Sequence, residues 1–93
     1  MSRELQAEFA RVSDMVKNSK SRGKGPSDEQ KLLLYGLFKQ ATVGDLTGPR
    51  PTGLFDVEGK SKWDAWARRR GTTKEVAMKL YIDYFKSLSH LYL

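Results

Sequence analysis

Apolar residues in this chain recur at helical spacing and nowhere alternate as strand residues do, which limits the fold class more than any other feature. Leu5, Phe9, Val12 and Val16 are four, three and four positions apart, one stripe of a helix expected to end near Asn18. Ser19 to Pro26 is basic and contains Gly23, Gly25 and Pro26, so an exposed loop is expected there. A second helix opens at Ser27, where Gln30 completes a capping box and Asp28 and Glu29 suit the positive end of the helix dipole. It should run to Val43, with Gly44 in the left-handed turn that follows. Gly44 to Gly59 holds four glycines and two prolines, Pro49 and Pro51, a connection longer than bundles usually need. Long ordered connections are often functional. Lys60 to about Arg70 suits a short third helix closed by Gly71, and Thr72 with Glu75 suggests a capping box opening a fourth that nearly reaches the end. The expected fold is all-α, four helices in a single domain over residues 1–93.

With 93 residues, the chain lies near the lower limit at which one hydrophobic core supports a fold. It has no cysteine, which excludes thiolate zinc, thiol catalysis and disulfides. Seventeen Lys and Arg against eleven Asp and Glu give a net charge of +6, favouring encounter with anions such as nucleotides, phospholipid surfaces or acidic partners. The first residues lack the apolar run of a signal peptide, no stretch approaches a membrane span, and Leu91-Tyr92-Leu93 matches no prenylation or retention signal. A soluble cytoplasmic protein is therefore expected, and Met1 favours a whole protein over an excised domain. His90 is the one histidine and has no evident catalytic partner, and no phosphate loop is present. No metal site or enzymatic role is therefore expected, and the binder reading comes from two segments that mix rings with lysines.

Two segments, Tyr35 to Asp45 and Lys60 to Trp66, mix aromatic rings with lysines at helical spacing. That chemistry suits a ligand with a flat ring, several phosphate charges and an oily tail. On the second helix, Leu33, Leu34, Leu37 and Ala41 form a sufficient core stripe, while Leu32, Tyr35, Phe38 and Lys39 collect on another side. Either Tyr35 packs on a neighbouring helix while Lys39 snorkels to water, or this face holds a ligand. On the fourth helix, Lys79, Asp83 and Lys86 form a narrow polar strip and apolar residues fill most of the rest, so it faces more than one partner. Burial accounts for most of these residues, and a groove lined partly by Tyr81 would account for others. Trp63 and Trp66 are expected in the core. Lys60 and Lys62 are expected by a helix start, where the dipole disfavours cations; they are either solvated or close to a bound anion. Arg68-Arg69-Arg70 falls at a helix C-terminus, where positive charge is favoured. The charge and this arginine run also fit a small basic helical nucleic-acid-binding module. A protein-interaction bundle would instead offer the Tyr35 and Lys39 face to a peptide helix.

The order and spacing of Tyr35 to Asp45, Arg50-Pro51, Gly59 to Trp66, Gly71-Thr72 and Ala77 to Asp83 closely resemble the acyl-CoA-binding protein family, over nearly the whole chain. The resemblance implies a four-helix bundle whose surface bowl binds long-chain fatty acyl-CoA thioesters in the cytoplasm, as a carrier and pool former with no chemical step. It implies a monomer without cofactor, metal or nucleic acid, and leaves room for transient contact with a membrane surface or an acyl-CoA-using enzyme. Carried over by residue, Tyr35 matches the tyrosine that stacks on adenine, Lys39 and Lys62 match lysines on the ribose 3′-phosphate, and Tyr81 matches another headgroup tyrosine. Phe9, Ser13, Lys17 and Leu32 fall where the family lines the groove or contacts the acyl and pantetheine portions. Phe38 and Lys60 complete the expected ligand-binding set. Phe38 stands where tyrosine is common, Glu58 where lysine is frequent, and Ser13 where a small apolar residue is usual. The connector Ser19 to Gly25 is longer than in the shortest members.

Overall fold

Helices form where the sequence supplies caps and stops. In the computed structural model, which describes residues 2–19 and 25–92, they are α1 (Arg3–Asn18), α2 (Asp28–Thr42), α3 (Val57–Ala67) and α4 (Lys74–Tyr92). No strand occurs among the described residues. The Ser2 hydroxyl accepts the Leu5 N–H at 3.0 Å to start α1. At Ser27 both halves of the capping box are made: Gln30 N–H reaches Ser27 Oγ at 3.1 Å, and Ser27 N–H reaches Gln30 Oε1 at 2.8 Å. α2 stops where Gly44 turns left-handed, with φ of 100°, and the N–H groups of Val43 and Gly44 both donate to the Lys39 carbonyl.

Three boundaries differ from the expected ones. α3 begins at Val57 and not Lys60, because the Asp56 carboxylate accepts the Gly59 N–H at 3.0 Å and caps the helix upstream. Glu58 and Gly59 therefore lie inside the first turn of α3. At its other end α3 gives way after Ala67 to a tighter closure, in which Arg69 and Arg70 N–H groups reach carbonyls three residues back. The cap of α4 is Thr73 rather than Thr72: its hydroxyl accepts the Val76 N–H at 3.1 Å and its carbonyl the Ala77 N–H at 2.9 Å. Glu75 consequently makes no capping box and lies 3.7 Å from Lys79 instead. In the connector before α2, Pro26 is buried, contrary to an exposed loop, and Lys20 to Lys24 lie outside the described residues.

α4 is the spine of the packing. α1 and α2 both lie against it, and α3 packs on α2. The buried cluster joins Phe9 and Val12 from α1, Leu34, Leu37 and Ala41 from α2, and Ala77, Tyr81, Ile82, Phe85 and Leu88 from α4. The wide apolar circumference of α4 is thus explained by two helical neighbours. The molecule is a slab of 38 × 37 × 17 Å. Between α2 and α3, the loop is anchored by buried Leu46 and by a two-bond pair from Arg50 to Asp64, both bonds 2.9 Å. Its far end leaves Leu54 and Phe55 exposed.

Candidate functional site

α1 and α2 converge on α4 without packing comparably on each other, and the gap between them is a groove of about 390 Å³. α1 contributes Ser13, Asp14, Val16 and Lys17; α2 contributes Lys31, Leu34, Tyr35 and Phe38; Tyr81 comes from α4. The apolar part of the lining rests on three rings. Phe9 stacks on Phe38 with centroids 5.9 Å apart and meets Tyr81 edge-on at 5.2 Å, while Phe38 lies 6.2 Å from Tyr81. Phe9 and Tyr81 are buried, and Phe38 is the exposed member.

A second set of contacts runs along the α2–α3 interface. The Lys62 ammonium lies 5.5 Å from the Tyr35 ring centroid, and that of Lys39 lies 4.9 Å from Trp66. Residue numbers rise together in these two pairs, so the two helices run in the same sense where they meet. The long loop is what returns the chain to make that possible. Gly36 permits the approach, since a Cβ there would overlap the Ala65 carbonyl. The Trp66 Nε1–H donates to the Gly44 carbonyl at 2.8 Å and ties α3 to the end of α2.

Trp63 and Trp66 are not in the core as expected but half-buried, because each offers a ring to a cation: Lys39 on Trp66, and Arg70 at 5.7 Å from Trp63. The buried Trp63 Nε1 finds no acceptor among the described residues. The arginine run is divided, with Arg70 also donating to the Leu46 carbonyl at 3.4 Å while Arg68 and Arg69 line a second cavity.

Charges are ordered by these contacts. Lys62 is held above its ordinary pKa, first by the hydrogen bond to Glu58 at 2.8 Å and then by that carboxylate's charge. It stays cationic at neutral pH. Asp45 lies below the ordinary carboxylate range because the Gly71 N–H and then the Gln40 amide donate to it, at 2.9 and 2.8 Å. Gln40 Nε2 also donates to the Thr72 carbonyl at 2.7 Å, clamping the end of α2 to the α3–α4 turn. The Arg50 guanidinium likewise lowers Asp64.

The structure brings Tyr35, Phe38, Ser13, Lys17 and Tyr81 into one groove, with Phe9 behind Phe38 and Tyr81. Lys62 joins them through Tyr35, and Lys39 lies one turn further along α2. Leu32 is set apart, in a cavity of about 320 Å³ between α2 and α3 shared with Leu33, Ser61 and Ala65. Lys60 is half-buried on α3 and lines neither cavity. Four groove residues were not anticipated in a binding role. Val16 and Leu34 carry a core signature, Asp14 carries no signal of its own, and Lys31 was legible as the cation one turn before Tyr35.

The family model described as acyl-CoA-binding protein matches residues 6–85. The chain belongs to the acyl-CoA-binding protein family. An acyl-CoA-binding protein homologue of Manduca sexta is 45% identical over 84 residues, covering 90% of each chain. Another, of Drosophila melanogaster, is 48% identical over 69 residues, covering 74% of this chain and 79% of that protein. The crystal structure of Oryza sativa acyl-CoA-binding protein 2 aligns with a TM-score of 0.81 at 45% identity, over 92% of this chain and 91% of that one. That of the Moniliophthora perniciosa protein gives 0.83 at 40% identity, over 95% and 80%. The all-α four-helix architecture is therefore that of the acyl-CoA-binding protein family. No described helix is long and apolar enough to cross a membrane.

Proposed function

We propose that this protein binds long-chain fatty acyl-CoA thioesters in the α1–α2–α4 groove and acts as a cytoplasmic, monomeric carrier and pool former that performs no chemistry on them. The observation that carries this reading is the double position of Tyr35, whose ring lines the apolar groove and also lies 5.5 Å from the Lys62 ammonium. A ligand crossing that point meets a flat ring, a cation and an oily surface together.

In this reading Tyr35 stacks on adenine, Lys39 and Lys62 hold the ribose 3′-phosphate, and Tyr81 completes the headgroup site. Phe38, backed by Phe9, offers apolar surface, while Ser13 and Lys17 line the α1 side for the pantetheine arm. Leu32 and Lys60 lie outside the groove and would touch only ligand that passes beyond it. A sixteen-carbon acyl chain gains about 0.8 kcal/mol per buried methylene, on the order of 10 kcal/mol before ordering costs. Even partial burial takes a weak headgroup complex towards nanomolar affinity.

Native mass spectrometry after expression in cells tests the ligand class. The expected result is a set of complexes whose added masses match coenzyme A thioesters differing by acyl length. Co-purified nucleic acid with no acyl series would contradict the reading.

A further inference from the structure

We infer that Glu58 is a built-in competitor for the ligand phosphate at Lys62, an inference that rests on the acyl-CoA reading of the site. Because Asp56 caps α3 upstream, Glu58 falls in the first turn and Lys62 one turn later, with the acid N-terminal to the base, the favourable order for such a pair. Their charged atoms are 2.8 Å apart, with the Glu58 side chain 79% exposed and that of Lys62 43% exposed. The same ammonium lies 5.5 Å from the centroid of Tyr35, the ring assigned to the base, so one lysine links the carboxylate to the site. Lys39, over Trp66, has no carboxylate partner among the described residues. The two lysines assigned to one phosphate are therefore unequal: Lys39 rests on a ring and Lys62 is already ion-paired.

A phosphate arriving at Lys62 finds part of the ammonium's charge and hydrogen-bonding capacity already taken by Glu58, and competes for it. An exposed pair is weak and exchanges readily, so Glu58 does not close the site. It lowers affinity for the 3′-phosphorylated headgroup specifically and speeds release, which suits a carrier.

The test is calorimetry of palmitoyl-CoA and its 3′-dephospho analogue with the wild type, Glu58→Gln, Lys62→Gln and the double variant. Glu58→Gln removes the charge and keeps the shape of an exposed side chain. The expected result at low salt is a gain of roughly threefold to tenfold for palmitoyl-CoA and a change of less than about twofold for the analogue. In the Lys62→Gln background the gain should vanish, which marks direct coupling. No gain, an equal gain for both ligands, or a gain that persists without Lys62 would overturn the competitor role while leaving acyl-CoA binding intact. Absence of binding by the wild type would overturn both.

Discussion

Tyr35 and Lys39 are one turn apart on α2, yet their neighbours differ: Lys62 lies over one and Trp66 under the other. This separation makes their contributions testable one at a time. Lys39→Ala is expected to weaken palmitoyl-CoA by tenfold or more and its 3′-dephospho analogue far less, consistent with the strength of charge-assisted bonds, about 1.5–3 kcal/mol. Equal losses in calorimetry would remove Lys39 from the phosphate role. Tyr35→Ala should weaken ligands carrying adenine and spare those without it. Gly36→Ala tests the scaffold: the added Cβ meets the rigid Ala65 carbonyl, so α2 and α3 must separate at a cost of about 1–3 kcal/mol, read from urea unfolding. The grouping of Tyr35, Phe38 and Lys39 was legible because residues on one helix face share a period. The Gly36 contact and the rings beneath the lysines were not, since a single helix's periodicity says nothing about what a second helix brings to it.

Caps decide where each element starts, and the start of α4 shows how a local signal is overridden. Thr72 with Glu75 satisfies the capping-box pattern, but the Thr72 carbonyl is bonded to Gln40 and its N–H to the Arg69 carbonyl, so it belongs to the preceding turn. The next threonine caps the helix. Thr73→Ala should therefore cost about 1 kcal/mol in urea unfolding and Thr72→Ala markedly less; the reverse order would contradict the observed cap. At α3 the same logic applies. Gly59 looked like the end of a loop, but its N–H is what the Asp56 carboxylate accepts, and the helix that results carries Glu58 and Lys62 on one face. At α2 the sequence pattern and the structure agree because the capping box is local and complete, both of its bonds being made between Ser27 and Gln30.

At the scale of the whole molecule, the groove exists because α1 and α2 share α4 as a spine without closing on each other, while the long loop lets α3 run alongside α2. The all-α class and the helix count were legible from periodicity and punctuation, but the splay that opens the groove depends on tertiary packing. The Asp45 clamp has a pH consequence. A carboxyl whose folded pKa is lowered binds a proton less well folded than unfolded, so its stabilisation is fully present above the ordinary value near about 4 and is lost as pH falls through the folded value. Asp64 acts in the same direction through Arg50. The urea midpoint should hold from neutral pH to about 5 and fall below about 4, and Asp45→Asn should flatten that fall. An unchanged acid slope in Asp45→Asn would remove the clamp from the account. In the proposed function one site joins headgroup and acyl recognition, and calorimetry of palmitoyl-CoA, coenzyme A and palmitate distinguishes this from recognition of either part alone. Palmitoyl-CoA should bind orders of magnitude more tightly than either part; palmitate binding as tightly as its thioester would contradict the claim.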